Sequence, residues 1–159
     1  MMPEGDPGAL APSEYAENLL PYVRGLGERV EIEGEVFSNL DSTDLEPSHW
    51  EGIGRLIVSR LNDYDGFVVL HGTDTMAYTA SALSFMLQNL PKPVVFTGSQ
   101  RPVAEVRTDA RNNLIHSALC ATLDIPEVSL FFGTHLFRGN CSTKISIPVS
   151  YTHLRAHET

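Results

Sequence analysis

Phe67-Val68-Val69-Leu70, entered through the turn-forming Asp63-Tyr64-Asp65-Gly66, is a short unbroken apolar run, and no other stretch constrains the fold more. A strand with one solvated face alternates between apolar and polar residues. A run that is apolar at every position reads as a strand buried on both faces, the habit of parallel sheets in α/β proteins. The next five residues, His71-Gly72-Thr73-Asp74-Thr75, are polar or small, and the apolar-rich stretch from Met76 to Leu87 then has helical character, ending near Pro91. In open α/β sheets, ligands bind at the carboxyl ends of strands, where the following helix aims its N–H donors. Thr73, Asp74 and Thr75 therefore sit where such a fold exposes chemistry. The bland alternative is that Asp74 and Thr75 only cap the helix, a position both residue types favour.

Other segments extend the same pattern. Ser13 can cap a short helix through Tyr15, Leu19 and Leu20, broken by Pro21. Residues 29–33 alternate like a strand with one solvated side. Pro47 opens a helix in which Trp50, Ile53, Leu56, Ile57 and Leu61 recur at helical spacing, which reads as core packing. A helix is expected over 76–89, a strand at Val94–Thr97, a helix over about 112–121 and a strand at Val128–Phe132. Strand–helix alternation of this kind predicts an α/β fold with a doubly wound parallel sheet.

A chain of 159 residues fits one domain with a sizeable core. The net charge of −9, from 20 acidic against 11 basic residues, argues against nucleic-acid and anionic-membrane partners. Arg101, Arg107 and Arg111 have Glu105 and Asp109 interleaved and make no basic patch. Cys120 and Cys141 cannot build a disulfide framework. Cys120 sits in an apolar stretch as a small buried residue, and Cys141 lies in a loop where a reactive thiol is the less favoured reading. No signal-peptide pattern and no membrane-length apolar run is visible.

Several stretches read together carry a family resemblance. Residues 65–80, with His71-Gly72-Thr73-Asp74-Thr75 at their centre, resemble the second signature of bacterial-type L-asparaginases. Thr97-Gly98-Ser99-Gln100-Arg101-Pro102 resembles the next strand-end loop of that family, and Asp109-Ala110-Arg111-Asn112-Asn113-Leu114 the helix start after it. Arg138-Gly139-Asn140-Cys141-Ser142-Thr143-Lys144 resembles the segment that carries the family's active-site lysine. Asp41-Ser42-Thr43-Asp44 sits where the family has a substrate-binding serine. The resemblance runs in one register from about Glu4 to Lys144 and is nearest the cytoplasmic type.

The resemblance implies an amidohydrolase that converts L-asparagine and water to L-aspartate and ammonia, with no cofactor and no metal. It implies that Thr73 positions and activates the attacking group, with Lys144 as its proton partner and Asp74 completing the threonine–lysine–aspartate arrangement. The logic is that of a serine–histidine–aspartate triad with other side chains. Asp74 would also hold the substrate's α-ammonium, Ser42 and the Gly72 backbone its α-carboxylate, and Ser99 would line the pocket. Simpler alternatives stand beside these roles. Lys144 could be an ordinary exposed lysine, Ser42 could serve a turn or cap, and His71 reads as a satisfied structural histidine.

The same resemblance implies a cytoplasmic parent that forms a homo-oligomer of two or four subunits. The family's Thr-Gly-Gly-Thr-Ile turn, whose first threonine is acylated, has no counterpart in this sequence, which opens at Met1-Met2-Pro3. Residues 1–149 are accordingly expected to be a partial N-terminal asparaginase domain without its C-terminal partner, and residues 150–159 a tail foreign to the family. Turnover by the chain alone is expected to be negligible. A glutaminase-asparaginase and the amidase subunit of a transfer-RNA amidotransferase are related alternatives. From a different class comes a non-catalytic α/β fragment that binds an amino acid weakly. Two other motifs are set aside: His153 and His157 lack the glutamate of a helical zinc pair, and the glycine spacing of Gly133 to Gly139 is too long for a phosphate loop.

Overall fold

The computed structural model describes residues 30–146 and 153–156, with positions 21 and 26. Two compact units divide the chain, Met1–Asn39 and Leu40–Thr159. The helix expected between Tyr15 and Leu20 lies outside the described residues. In the first unit, residues 30–39 form neither helix nor strand. The alternation at residues 30–33 survives only as alternating partial burial and exposure. Alternation states which side of a segment meets solvent, but a strand also needs a neighbour's hydrogen-bonding ladder.

The second unit is built on a sheet of β1 (Phe67–Leu70), β2 (Val94–Thr97), β3 (Val128–Phe132) and β4 (His135–Arg138), in that order. β1, β2 and β3 are parallel, while β4 returns antiparallel to β3. The fold is α/β with parallel strands, as the strand–helix alternation predicts, and it gains an antiparallel edge strand at residues 135–138 that the apolar runs do not announce. The hairpin turns on Gly133 and Thr134, with Gly133 at φ 66°, the left-handed region that glycine reaches without steric cost. β1 was expected to be buried on both faces. Its residues are half-buried and Leu70 is exposed, because β1 lies at the edge of the described sheet.

Helices cover both faces. α1 (Pro47–Ser59) begins with proline at its first turn, where a missing N–H costs nothing. α2 (Met76–Met86) follows β1, and α3 (Ala110–Cys120) follows β2. Ile53 and Ile57 of α1 and Met76, Ala80 and Leu83 of α2 pack with Val94, Phe96, Leu130 and Phe132. Val68, Val95 and Phe131, which point to the opposite face, pack with Cys120 and Ala121 at the end of α3. Successive strand residues thus feed opposite cores, as the two-residue period of a strand requires. Trp50 Nε1 donates to Thr79 Oγ1 at 3.1 Å, so the buried polar group on α2 is satisfied by α1.

β1, β2 and β3 are added in one direction across the sheet, yet α2 and α3 lie on opposite faces. The two crossovers therefore have opposite hands, and one takes the hand that parallel units rarely adopt. After β4, a 3-10 turn (Gly139–Cys141) leads into β5 (Ser142–Ser146), which pairs antiparallel with β6 (His153–Ala156). The ladder shifts register between Lys144 and Ser146, a bulge directly beside Lys144. Bulges of this kind re-aim the side chains next to them.

Candidate active site

The polar loop after β1 is a turn, not a helical cap. Thr75 occupies the N-cap position of α2 but makes no side-chain cap hydrogen bond. Its Oγ1 donates instead to the carbonyl of Ser42 at 2.6 Å. That bond ties the loop to the 3-10 turn Ser42–Asp44, itself capped by Asp41, whose carboxylate accepts from the Thr43 N–H at 2.9 Å. Ser42 is buried against Gly72, so closely that a Cβ at position 72 would lie 2.7 Å from Ser42 Oγ. A glycine is required there by proximity.

Lys144 reaches this loop from 70 residues away along the chain. Its Nζ lies 2.6 Å from Asp74 Oδ1 and 3.3 Å from Thr73 Oγ1. The lysine gets there because the turn before β5 is pressed onto α2. A Cβ at Gly139 would meet Ser84 Oγ at 2.6 Å and the Ala80 carbonyl at 3.0 Å. The Lys144 side chain is only 11% exposed, against 54% for Asp74. The ammonium is therefore mostly withdrawn from water, while its carboxylate partner keeps an open side. An ordinary exposed lysine is not what this position holds. Thr73, Asp74 and Lys144 come together, with Ser42 and Gly72 adjoining through the same loop.

Ser99 is half-buried in the loop after β2, and no hydrogen bond joins it to Thr73, Asp74 or Lys144 among the described residues. Its neighbour Gln100, which carried no role in the sequence reading, donates from Nε2 to Thr73 Oγ1 at 2.7 Å. The signal was present, since Gln100 sits in the strand-end stretch singled out by resemblance, but nothing in the sequence shows which side chain of such a loop turns inward. The loops after β1 and β2 abut at Gly98, where a Cβ would lie 2.3 Å from the His71 carbonyl.

His71 differs from the satisfied histidine expected. Its Nδ1 lies 2.6 Å from the Gly72 carbonyl, which can only accept, so the ring proton sits on Nδ1. Nε2 is buried with no hydrogen-bond partner among the described residues. Desolvation holds the imidazole below its ordinary pKa, although the bond to Gly72 works the other way. The unfolded chain therefore takes up this proton more readily than the folded one. The neutral imidazole's contribution to stability is present above about pH 6.5 and is lost as the pH falls below it. Urea unfolding at pH 7.5 and 5.5 should show a lower midpoint at the acid pH, and His71→Gln should reduce that difference. An equal acid loss in the variant would assign the effect to other groups.

Other sequence motifs find plain places. The stretch from Gly133 to Lys144 is a hairpin strand, a 3-10 turn and a further strand, unlike the loop-to-helix geometry that holds phosphate. Cys120 and Cys141 are free thiols, and burial pushes the Cys120 thiol up. No group of three or more His, Cys, Asp or Glu that could hold a metal occurs among the described residues.

Residues 1–150 match the family model described as "Asparaginase, N-terminal". The chain is 57% identical over 106 residues to L-asparaginase 1 of Escherichia coli (strain K12), covering 66% of this chain and 31% of that protein. The crystal structure of L-asparaginase I from Vibrio cholerae superposes with a TM-score of 0.72 at 48% identity, over 77% of this chain and 37% of that one. The thermostable L-asparaginase from Thermococcus kodakarensis gives a TM-score of 0.78 at 37% identity, over 89% and 43% respectively. The chain thus spans about a third of the length of the E. coli relative.

Proposed function

The chain belongs to the asparaginase family, through its N-terminal domain, and from that premise we propose that it forms most of the active site of an L-asparagine amidohydrolase. One observation carries the reading. Thr73, Asp74 and Lys144, drawn from two distant segments, converge within hydrogen-bond distance at the carboxyl end of a parallel sheet. Hydrolysis of an unactivated amide needs a hydroxyl whose proton can be taken by a base in contact with it, and a way to hold the substrate in register. The Thr73–Lys144 contact supports the first requirement. The open side of Asp74 and the Ser42–Gly72 contact support the second.

In this assignment the substrate's α-ammonium docks on Asp74 and its α-carboxylate on Ser42 and the Gly72 backbone. The ammonium competes with Lys144 for the same carboxylate. Substrate binding then draws Asp74 away from Lys144 and leaves its Nζ facing Thr73 Oγ1, 3.3 Å away. Ser99 lines the pocket, and no metal or cofactor enters the scheme. The same reading extends to a cytoplasmic parent that assembles as a homo-oligomer. No helix among the described residues is long and apolar enough to cross a membrane.

Calorimetric titration tests the binding half. L-Aspartate should bind, succinate, which lacks the ammonium, should bind at least tenfold more weakly, and Asp74→Ala should abolish the preference. Equal binding of aspartate by Asp74→Ala would remove Asp74 from the substrate site. Ammonia release from L-asparagine by the full-length gene product tests the reaction itself. L-Glutamine run in parallel decides which amide is preferred, and silence on both would refute the reading.

A further inference from the structure

A polar latch at the start of α3 holds Gln100 onto Thr73. Asp109 accepts the Gln100 N–H with both carboxylate oxygens, at 3.1 and 3.0 Å, and the Arg101 N–H at 3.2 Å. Thr108 Oγ1 donates to the Arg101 carbonyl at 3.1 Å. Asn113, one turn further on and 1% exposed, donates to the Gly98 carbonyl at 2.8 Å and to Asp109 Oδ2 at 3.3 Å. Its Oδ1 accepts the Gly133 N–H at 3.0 Å, which ties in the loop after β3. Residues 98–101 are thus fixed on both edges of their backbone. A part-buried network of this kind, anchored on the buried Asn113, restrains the loop, and what it orients is the Gln100 carboxamide, 2.7 Å from Thr73 Oγ1.

Resting on the amidohydrolase reading above, we propose that Gln100 is a positioning residue for Thr73, held in place by Asp109 and Asn113. A hydroxyl oxygen offers two lone pairs and one proton. The Gln100 amide occupies one lone pair, so the Thr73 proton is left to turn between Lys144 and the open site. In the proton-transfer step the attacking O–H gives its proton to Thr73 Oγ1 while the Thr73 O–H gives its own to a neutral Lys144 amine. One O–H bond breaks at the attacking group, one forms and one breaks at Thr73, and one N–H bond forms at Lys144. Negative charge that develops on Oγ1 in this exchange meets a donor already in place, which costs no reorganisation.

Steady-state kinetics of the full-length gene product, with calorimetry for L-aspartate, separates this role from a merely structural one. Gln100→Ala and Gln100→Glu should each lower kcat about tenfold to a hundredfold, with KM and the aspartate Kd within about twofold of the parent. The glutamate keeps the shape of the side chain but its carboxylate has no N–H to give. Asp109→Ala should reproduce the kcat loss with a lower melting temperature. The Asp109→Ala/Gln100→Ala pair should lose no more kcat than Asp109→Ala alone, because the aspartate acts through the glutamine. Parent-like kcat in Gln100→Glu, or losses that multiply in the pair, would overturn the proposal. An active parent with an unimpaired Gln100→Ala overturns this role alone. A parent that releases no ammonia from L-asparagine overturns the amidohydrolase reading and this role with it.

Discussion

Lys144→Met in the full-length gene product should lose ammonia release from L-asparagine by about a thousandfold or more, while the protein stays folded. General acid–base partners contribute about 10²–10⁴-fold, and groups that act as a unit lose most of that when one is removed. Methionine keeps the length and apolar body of the side chain but has no nitrogen to exchange a proton with Thr73, now 3.3 Å from Nζ. Stability should hardly change, because the partner left behind is the half-exposed Asp74, which water can solvate. Exposed or half-exposed pairs are worth less than about 1 kcal/mol. The reverse deletion is asymmetric. Asp74→Ala leaves an 11%-exposed ammonium without its carboxylate, so it should lower the melting temperature more than Lys144→Met does. Kinetics and thermal melts on the two variants read out both halves. Turnover that survives Lys144→Met would exclude the lysine from proton transfer.

The parts of this arrangement that were legible in the sequence are those set by local chemistry. The runs at Phe67–Leu70, Val94–Thr97 and Val128–Phe132 are strands because apolar residues dominate them, with only Thr97 and Ser129 polar, and all three fall where expected. The helix from Pro47 follows from its proline and its apolar stripe, with Ile53 and Ile57 buried as that stripe requires. β4 escaped because its turn is only two residues long and the glycine invited comparison with phosphate loops. The opposite-handed crossovers were beyond reach for another reason. Hand depends on which face each helix covers, and an all-apolar strand looks the same from both sides. The convergence of Lys144 on Thr73 and Asp74 could be expected only through resemblance, since no local signal spans 70 residues. Gln100 shows the remaining gap. Its inward turn is produced by Asp109 and Asn113, two residues that by composition alone read as an ordinary helix start.

Gly98→Ala should damage both the fold and the site, although position 98 carries no side chain and touches no substrate in the proposed scheme. Gly98 stands where the loops after β1 and β2 come into contact. A methyl there would meet the His71 carbonyl at 2.3 Å and Thr73 Cγ2 at 3.3 Å. The first obstacle is backbone in the neighbouring parallel strand's exit, so it cannot rotate away as a long side chain would. Ordinary carbon–oxygen contact lies at about 3.3–3.6 Å, so the two loops must part by roughly 1 Å. Overpacking of this kind costs about 1–3 kcal/mol, which for a chain of this size is a fall of several degrees in melting temperature. The functional consequence is larger. Thr73 rides on one loop and Gln100 on the other, at 2.7 Å, and a displacement of about 1 Å in reacting groups can cost about a hundredfold in rate. The expected result is a folded variant whose kcat falls about a hundredfold, with the Lys144–Asp74 contact intact because neither residue belongs to the displaced loop after β2. Combining Gly98→Ala with Gln100→Ala should add little further loss, since both act by removing the same contact. A Gly98→Ala protein with parent-like turnover would mean that the two loops are not held together in the working enzyme.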